Sequence, residues 1–444
     1  MSYLDETTIN LVASKKRDHF RRLTVVEEQK LKVLPIAVIY GGNASGKTNL
    51  VKAISFLKQL ITKGPSMDEN IPNQPFLLSS ARKLVPTTFK ISVLIDDIIY
   101  DLLIELNNKR ILRESLCEIK KRKSKLLYDR RFGDSEPDNN LDTFKEISYQ
   151  FAYKGTRENQ LFLSNSVSQG LDKFKKLWDW FKNSLIVISP DSKYKNKSRF
   201  FAEDDPYGNR FNELFQKLDT GVQKLVGEPV NMNSIDLPRE IIAEIESNLT
   251  ESSKTVTLQS PDECFQFTAE KTGEIKAKKL FTYHSDEFGN EVKFDLRSES
   301  DGTKRLFDLF PAFIKLSDPK NKSTIIIDEI DRSLHTLMTR KIISLYLESC
   351  KETSRTQLIT TTHDLMLIDR NILRLDEMWL AERDKYGRTF LSAMSDFEEA
   401  NNDKNLCLSY LQGRMGGIPQ LVLNSFHPEN HEQDTSPKKE SGNE

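Results

Sequence analysis

Val38-Ile39-Tyr40-Gly41-Gly42-Asn43-Ala44-Ser45-Gly46-Lys47-Thr48-Asn49-Leu50 fits the pattern G-x-x-x-x-G-K-[ST], opened by Gly41 and closed by Gly46, Lys47 and Thr48. Ahead of it, Pro35–Tyr40 has the length and β-branching of a buried strand. Behind it, Leu50, Val51, Ile54, Leu57 and Leu60 recur at helical spacing. Strand, glycine-rich turn and helix is the order that phosphate binding needs, because backbone N–H groups of the turn and of the helix start converge on the anion. Gly41, Gly42, Asn43, Ala44, Ser45, Gly46, Lys47, Thr48 and Asn49 are therefore expected to surround the phosphates of ATP. Lys47 would bring a mobile positive charge to the β- and γ-phosphates, and the Thr48 hydroxyl would ligate Mg²⁺. The plain alternative is a chance match in a glycine-containing loop, which the flanking strand and helix argue against.

A second stretch completes the pattern. Ser323–Asp328 reads Ser-Thr-Ile-Ile-Ile-Asp and is followed by Glu329. A buried strand that ends in two acids suits a metal–nucleotide site: Asp328 would hold Mg²⁺ through water, and Glu329 would orient and deprotonate the attacking water. An ordinary strand ending in a solvated acidic turn would look the same without a phosphate loop in the chain. Lys47 and Asp328 stand 281 positions apart (328 minus 47), so everything between them reads as insertion into one nucleotide-binding core. Leu358–Asp364 then offers a third strand that delivers His363 to the same sheet edge, within reach of a γ-phosphate. Arg297–Leu306 contains Ser300, Asp301, Gly302 and Thr303 at a predicted helix start. Ser300 reads either as a plain N-cap or, together with Gly302, as part of an anion site, and both uses draw on the same N–H groups.

Composition limits what else the chain can be. Of 444 residues, 30% are charged and 37% hydrophobic, and the mean hydropathy is -0.52. No run approaches the roughly 18 apolar residues of a membrane span, and Met1–Lys15 lacks the apolar centre of a signal peptide. A net charge of -1 leaves any contact with DNA to local patches. Cys117, Cys264, Cys350 and Cys407 are scattered with no C-x-x-C pair, as expected of reduced thiols in a cytoplasmic protein and not of a disulfide framework or zinc site.

In chain order, Thr8–Ala13 reads as a short strand and Ser14–Lys30 as a charged loop. Lys63–Lys83, with Pro65, Pro72 and Pro75, reads as a connector. Phe89–Ile95, Ile98–Leu106, Ile111–Ile119 and Ser124–Arg131 alternate apolar and polar residues and predict an antiparallel meander. Leu171–Phe181, Phe211–Val226, Pro238–Leu249 and Arg340–Cys350 predict helices, Leu185–Ile188 a strand and Lys254–Tyr283 several strands. From Glu299 to about Leu391 helix and strand alternate. The fold class expected is α/β: a P-loop NTPase with an antiparallel β subdomain and a large helical/β insertion. Residues 1–150 would form the N-terminal half of the core, 151–290 the inserted arm, 291–424 the C-terminal half and 425–444 a disordered tail.

The order of these elements resembles the ABC-type ATPase heads, which include SMC-like, RecF-like and overcoming-lysogenization-defect (OLD) proteins. Ser300-Asp301-Gly302-Thr303 resembles the signature turn of that class, Ile330–His335 its D-loop and His363 its switch histidine. A nearer resemblance, to the stand-alone ATP-binding subunits of OLD-like abortive-infection and anti-phage operons, rests on Asn10–Lys15, Glu299–Leu306, Asp328–His335 and Tyr410–Pro419. It implies head-to-tail homodimers or higher oligomers. Each ATP then lies between the phosphate loop of one head and the Ser300–Gly302 turn of the other. It also implies a separate effector, of nuclease type, from the same operon. Members of the family carry an extra strand before the segment matching Thr8–Ala13, so either the antiparallel part of this head lacks a strand or the start is displaced. The family's Mg²⁺-contacting glutamine has no clear counterpart, Gln74 being a poor one, and His335 stands where transporter heads have the D-loop aspartate.

No Asp-x-Asp pair follows His363, and neither H-E-x-x-H nor zinc spacing occurs, so ATP binding and hydrolysis are the only chemistry the sequence supports. Two basic stretches, Lys120–Lys125 and Lys193–Arg199, keep open the alternative of a RecF- or SMC-like repair ATPase acting on DNA directly. The first reads most simply as a hairpin turn made soluble by charge. A transporter head, with a membrane partner, explains neither the long insertion nor His335. Of the two tryptophans beside Lys175-Lys176, Trp178 falls on the apolar stripe and Trp180 off it, where a partner could reach it.

Overall fold

The computed structural model describes residues 2–78, 85–121, 123–190, 206–235, 237–251, 255–259, 263–269, 274–403 and 405–415. The Lys193–Arg199 stretch, the end of Tyr410–Pro419 and the 425–444 tail lie outside them.

The N-terminal part holds strands β1 (Thr24–Val26), β2 (Leu31–Val33) and β3 (Ile36–Tyr40), then helix α1 (Lys47–Thr62). Four strands follow, β4 (Thr87–Ile95), β5 (Ile98–Leu106), β6 (Ile111–Lys120) and β7 (Lys123–Arg131), paired in chain order as an antiparallel meander. Their alternating apolar residues did fix the meander, and the β4–β5 hairpin turns on Asp96 and Asp97, both at positive φ (49° and 64°). Helices α2 (Ile147–Lys154), α3 (Phe162–Ser168) and α4 (Lys175–Asp179) pack on the meander and lead into β8 (Leu185–Ile188). Next come α5 (Pro206–Gln216), β9 (Lys224–Val230), α6 (Arg239–Glu251), β10 (Thr255–Gln259), β11 (Cys264–Ala269), β12 (Ile275–Ser285) and β13 (Glu291–Asp295). The C-terminal part is α7 (Asp301–Leu316), β14 (Thr324–Ile327), α8 (Thr336–Ser349), β15 (Gln357–Thr361), β16 (Met378–Arg383), β17 (Thr389–Ala393), α9 (Glu398–Asn402) and α10 (Leu406–Leu411).

The central sheet runs β17-β16-β3-β15-β14-β8, parallel except for β17. All five residues of β3 and all four of β14 are buried, as a parallel sheet covered on both faces requires. The two-residue period sorts them between two cores. Ile36, Val38, Tyr40, Ile325, Ile327, Leu358 and Met378 face α7 and α8. Ala37, Ile39, Ile326, Ile359 and Trp379 face α1 and the meander. A third, smaller core forms where α6 covers β10–β12, through Ile245, Leu249, Phe265, Phe267 and Ala277.

Several expectations change. β8 falls inside 151–290, yet it pairs in parallel with β14 as a strand of the central sheet, so that stretch is not wholly an inserted arm. The helix expected over Phe211–Val226 ends at Gln216, and Lys224–Val230 is a strand on β12. Phe211, Phe215, Leu218, Val222 and Leu225 keep helical spacing across the Thr220-Gly221 turn, where Gly221 has φ 76°, and all five enter one core. Thr8–Ala13 makes a single bridge, Val12 to Val33, instead of a strand, and the Ser14–Lys30 loop contains β1. Leu171–Phe181 is α-helical only over Lys175–Asp179 and continues as a π turn, Trp180–Ser184. Trp178 gives its Nε1–H to the Ile61 carbonyl at 3.1 Å, and Trp180 is half-buried, edge-on to Phe181 at 5.0 Å.

Candidate functional site

The phosphate loop links β3 to α1 with Gly41, Ala44 and Gly46 all at positive φ. Two glycines are needed for space. A Cβ on Gly41 would meet the Ala381 carbonyl oxygen at 2.4 Å, and one on Gly46 (φ 101°) would meet Thr389 Oγ1 at 2.2 Å and Ser2 Oγ at 2.6 Å. The first residues of the chain lie over this loop. Tyr3 donates its hydroxyl to the Gly46 carbonyl (3.1 Å), Asn49 Nδ2 donates to Ser2 Oγ (3.0 Å), and Thr389 N–H donates to the Ser2 carbonyl (2.9 Å). Burial pushes the Tyr3 hydroxyl well above the ordinary tyrosine range.

Lys47, the first residue of α1, is buried. Its ammonium donates to the Gly41 and Gly42 carbonyls at 2.7 and 3.0 Å and lies 3.5 Å from His363 Nδ1. Burial lowers Lys47 to about 8, while Asp328, Asp331 and Glu329 pull it back up. Burial and the neighbouring Lys47 charge both lower His363, which favours the neutral imidazole at pH 7. Thr48 is half-buried one residue into the helix.

Asp328, directly after β14, is 1% exposed, and its Oδ1 accepts the Thr361 hydroxyl at 2.6 Å. Glu329 stands at φ 51°, unusual for a side chain of its size, and its N–H donates to Thr361 Oγ1 at 2.8 Å. Arg305 of α7, 6% exposed, reaches towards the Glu329 carbonyl at 3.5 Å. Asp331 Oδ2 accepts the His363 N–H at 3.3 Å. The carboxyl ends of β3, β14 and β15 thus bring Lys47, Asp328, Glu329 and His363 together, as expected for a ligand at the strand ends of an open α/β sheet.

Ser300 caps α7, accepting the Thr303 N–H at 3.1 Å. Gly302 sits under the Ser333 carbonyl, which a Cβ would meet at 2.9 Å. Among the described residues, no hydrogen bond or ion pair joins the Ser300–Thr303 turn to Gly41–Thr48 of the same chain. Glu299, one residue earlier, accepts from Thr282 and lies 2.7 Å from His284 Nε2, both on β12, which ties the β9–β13 sheet to the turn. His335 is a helix cap, its Nδ1 accepting the Leu337 N–H at 3.2 Å.

The residues fit a magnesium–nucleotide complex. Ser45 Oγ is buried in the loop with no hydrogen-bond partner among the described residues, and the Lys47 ammonium rests on carbonyls instead of an acid. Among the described residues no group of three or more His, Cys, Asp or Glu could cage a metal. A Mg²⁺ ion needs none, since one carboxylate, a hydroxyl, waters and phosphates suffice. Asp328 and Thr48 could hold it. Sequence reasoning missed Thr361, Arg305 and Asp331. Thr361 is the middle residue of Thr360-Thr361-Thr362, and only the pairing of β15 with β14 selects it.

A family model described as "AAA domain, putative AbiEii toxin, Type IV TA system" matches residues 36–369. A search of curated proteins finds no match. Among solved structures, an "SmcHead bound to the C-winged helix domain of ScpA" is 12% identical, covering 82% of this chain and 92% of its own, with a TM-score of 0.30. An "SMC head domain from Thermotoga maritima" is 14% identical, covering 80% and 89%, with a TM-score of 0.26. No described helix is long and apolar enough to cross a membrane.

Proposed function

The chain belongs to the AAA-domain family whose description names a putative AbiEii toxin of a type IV toxin–antitoxin system, and we propose on that footing that it binds Mg²⁺–ATP, hydrolyses it and uses the cycle to regulate a separate effector in anti-phage defence. The observation that carries this is the meeting of Lys47, Asp328, Glu329 and His363 at one sheet edge from positions far apart in the chain. The N–H groups of Gly42–Lys47 hold the phosphates, and Lys47 trades its two carbonyl contacts for phosphate oxygens. Thr48 and Asp328 would hold Mg²⁺, which would supply positive charge where negative charge develops on the phosphate oxygens. Glu329 takes the proton of the attacking water, and His363 donates a hydrogen bond near the γ-phosphate.

Gly302 lies against the Ser333 carbonyl of its own chain and Ser300 caps its own helix, and in this reading a second copy supplies the turn that closes each site. Two heads related by a two-fold axis would then share two ATP molecules. OLD-like kinship and a cytoplasmic setting belong to the same proposal, as does an effector of nuclease type. Direct action on DNA has less support, because Lys120, Lys121 and Lys125 are paired with Glu118, Glu28 and Asp142. The test is to purify the protein with the product of the adjacent gene and compare wild type with Lys47→Ala. An effector activity that changes with Lys47→Ala supports regulation, and one indifferent to it overturns that part.

A further inference from the structure

Thr361 is the last residue of β15 and is fully buried. Its hydroxyl lies between two groups of opposite hydrogen-bonding sense. Oγ1 is 2.6 Å from Asp328 Oδ1 and 2.8 Å from Glu329 N. An ionised carboxylate only accepts and an amide N–H only donates, so the hydroxyl proton must point to Asp328 and a lone pair to Glu329. The Thr361 carbonyl accepts the Ile330 N–H at 3.1 Å as well. One residue of β15 therefore grips three consecutive residues of the turn, and two of the three contacts pass through its side chain.

That grip falls where the backbone has least reason to stay. Glu329 occupies the left-handed region at φ 51°, which costs a non-glycine residue free energy and persists only where the surroundings over-determine it. The Glu329 N–H bond to Thr361, at 2.8 Å, is the shortest contact on its backbone among the described residues: the Glu329 carbonyl accepts the Arg332 N–H of its own turn at 3.2 Å, and the Arg305 contact to that carbonyl is long, at 3.5 Å. On the other side, Thr361 occupies Oδ1 of Asp328, so the orientation of the carboxylate and of its second oxygen is set from β15. A valine at this position would keep the shape and burial and lose both contacts.

We propose that Thr361 is a positioning residue for ATP hydrolysis, its hydroxyl holding the Asp328 carboxylate and the Glu329 backbone in register with each other. The proposal rests on reading Asp328 and Glu329 as the hydrolytic pair, and its test has an arm that needs no turnover.

That arm is amide hydrogen exchange of residues 328–330 in the nucleotide-free protein, for wild type, Thr361→Val and Thr361→Ser. In Thr361→Val the Glu329 amide should exchange faster by about tenfold or more while the Ile330 amide, still bonded to the Thr361 carbonyl, stays protected. Thr361→Ser should restore wild-type exchange. In the second arm, steady-state hydrolysis by Thr361→Val should lose about 10–100-fold in kcat, the size expected for removing a hydrogen bond to a charged group, with KM for ATP within about threefold. Thr361→Ser should recover most of that loss. Unchanged Glu329 exchange, or equal loosening of Glu329 and Ile330, would overturn the proposal, as would a higher KM with unchanged kcat. If wild type hydrolyses no ATP, the functional reading falls and the exchange arm decides the positioning role alone. If Thr361→Val does not fold, Thr361→Ala takes its place with the same expected readouts.

Discussion

The Lys47 ammonium lies 3.5 Å from His363 Nδ1, although the two residues stand 316 positions apart. The contact joins the start of α1 to the end of β15 across two neighbouring parallel strands, Thr361 of β15 pairing with Ile39 of β3. Burial first and then the adjacent Lys47 charge make His363 harder to protonate, because a second cation would be crowded into a partly desolvated site.

Nucleotide affinity is expected to fall as pH rises past about 8. Phosphate oxygens stabilise the charged amine, so the pKa of Lys47 is higher in the complex than in the free protein. Binding is then strongest below the free-state pKa and weakens above it, by up to about tenfold per pH unit. Calorimetry near pH 9 in two buffers of different ionisation enthalpy should show uptake approaching one proton per nucleotide. Lys47→Arg should show no uptake and a flat profile.

Gly46→Ala should abolish nucleotide binding with the fold intact. The added Cβ would meet Thr389 Oγ1 at 2.2 Å and Ser2 Oγ at 2.6 Å, at a backbone φ of 101°. The strain is of order 1–3 kcal/mol and local to the loop. A fluorescent ATP analogue should bind at least about 100-fold more weakly, with circular dichroism unchanged.

Ser300→Arg should stop hydrolysis while leaving nucleotide binding to the phosphate loop. The lost N-cap costs α7 about 1 kcal/mol, too little to unfold a helix anchored by Leu306, Leu309, Phe310 and Phe313. The decisive form mixes Ser300→Arg with Lys47→Ala, each inactive alone. A head-to-tail dimer rebuilds one intact site in each mixed pair, so about a quarter of wild-type activity should return. A mixture that stays inactive would contradict the shared site.

Glu114→Ala should destabilise the protein by about 2–4 kcal/mol, read as a shift in the chemical denaturation midpoint. The side chain is fully buried, accepting the Tyr128 hydroxyl at 2.8 Å and the Phe162 and Leu163 N–H groups at 2.6 and 3.1 Å. It fastens the start of α3 to the meander, and burial raises its pKa. A folded-state pKa above the unfolded one means this contribution weakens as pH rises beyond the ordinary glutamate range.

The meander, β3, α1 and the β14–β15 pair were legible because each carries a two-residue or helical period bounded by turn residues. The candidate site could be read from the sequence where the chemistry it would serve has a fixed spacing, as in Gly41–Thr48 and Asp328-Glu329. Sequence could not show that Leu185–Ile188 joins the central sheet, since a four-residue apolar strand looks alike in a core or an insertion. It also could not end α5 at Gln216, because Val222 and Leu225 kept the apolar spacing beyond the turn. Thr361 was hidden among three threonines, and its role comes from register alone. The Ser2 and Tyr3 contacts over Gly46 have no local signal either.

The central claim is that Glu329, held beside Asp328 and Lys47, drives hydrolysis of ATP bound in the loop. The most direct measurement is steady-state phosphate release by Glu329→Gln set against its ATP affinity and its dimer fraction by light scattering in ATP. Release should fall by at least about 100-fold, with affinity unchanged and the dimer fraction raised by ATP. Undiminished phosphate release, or a dimer fraction that ATP does not change, would contradict the account.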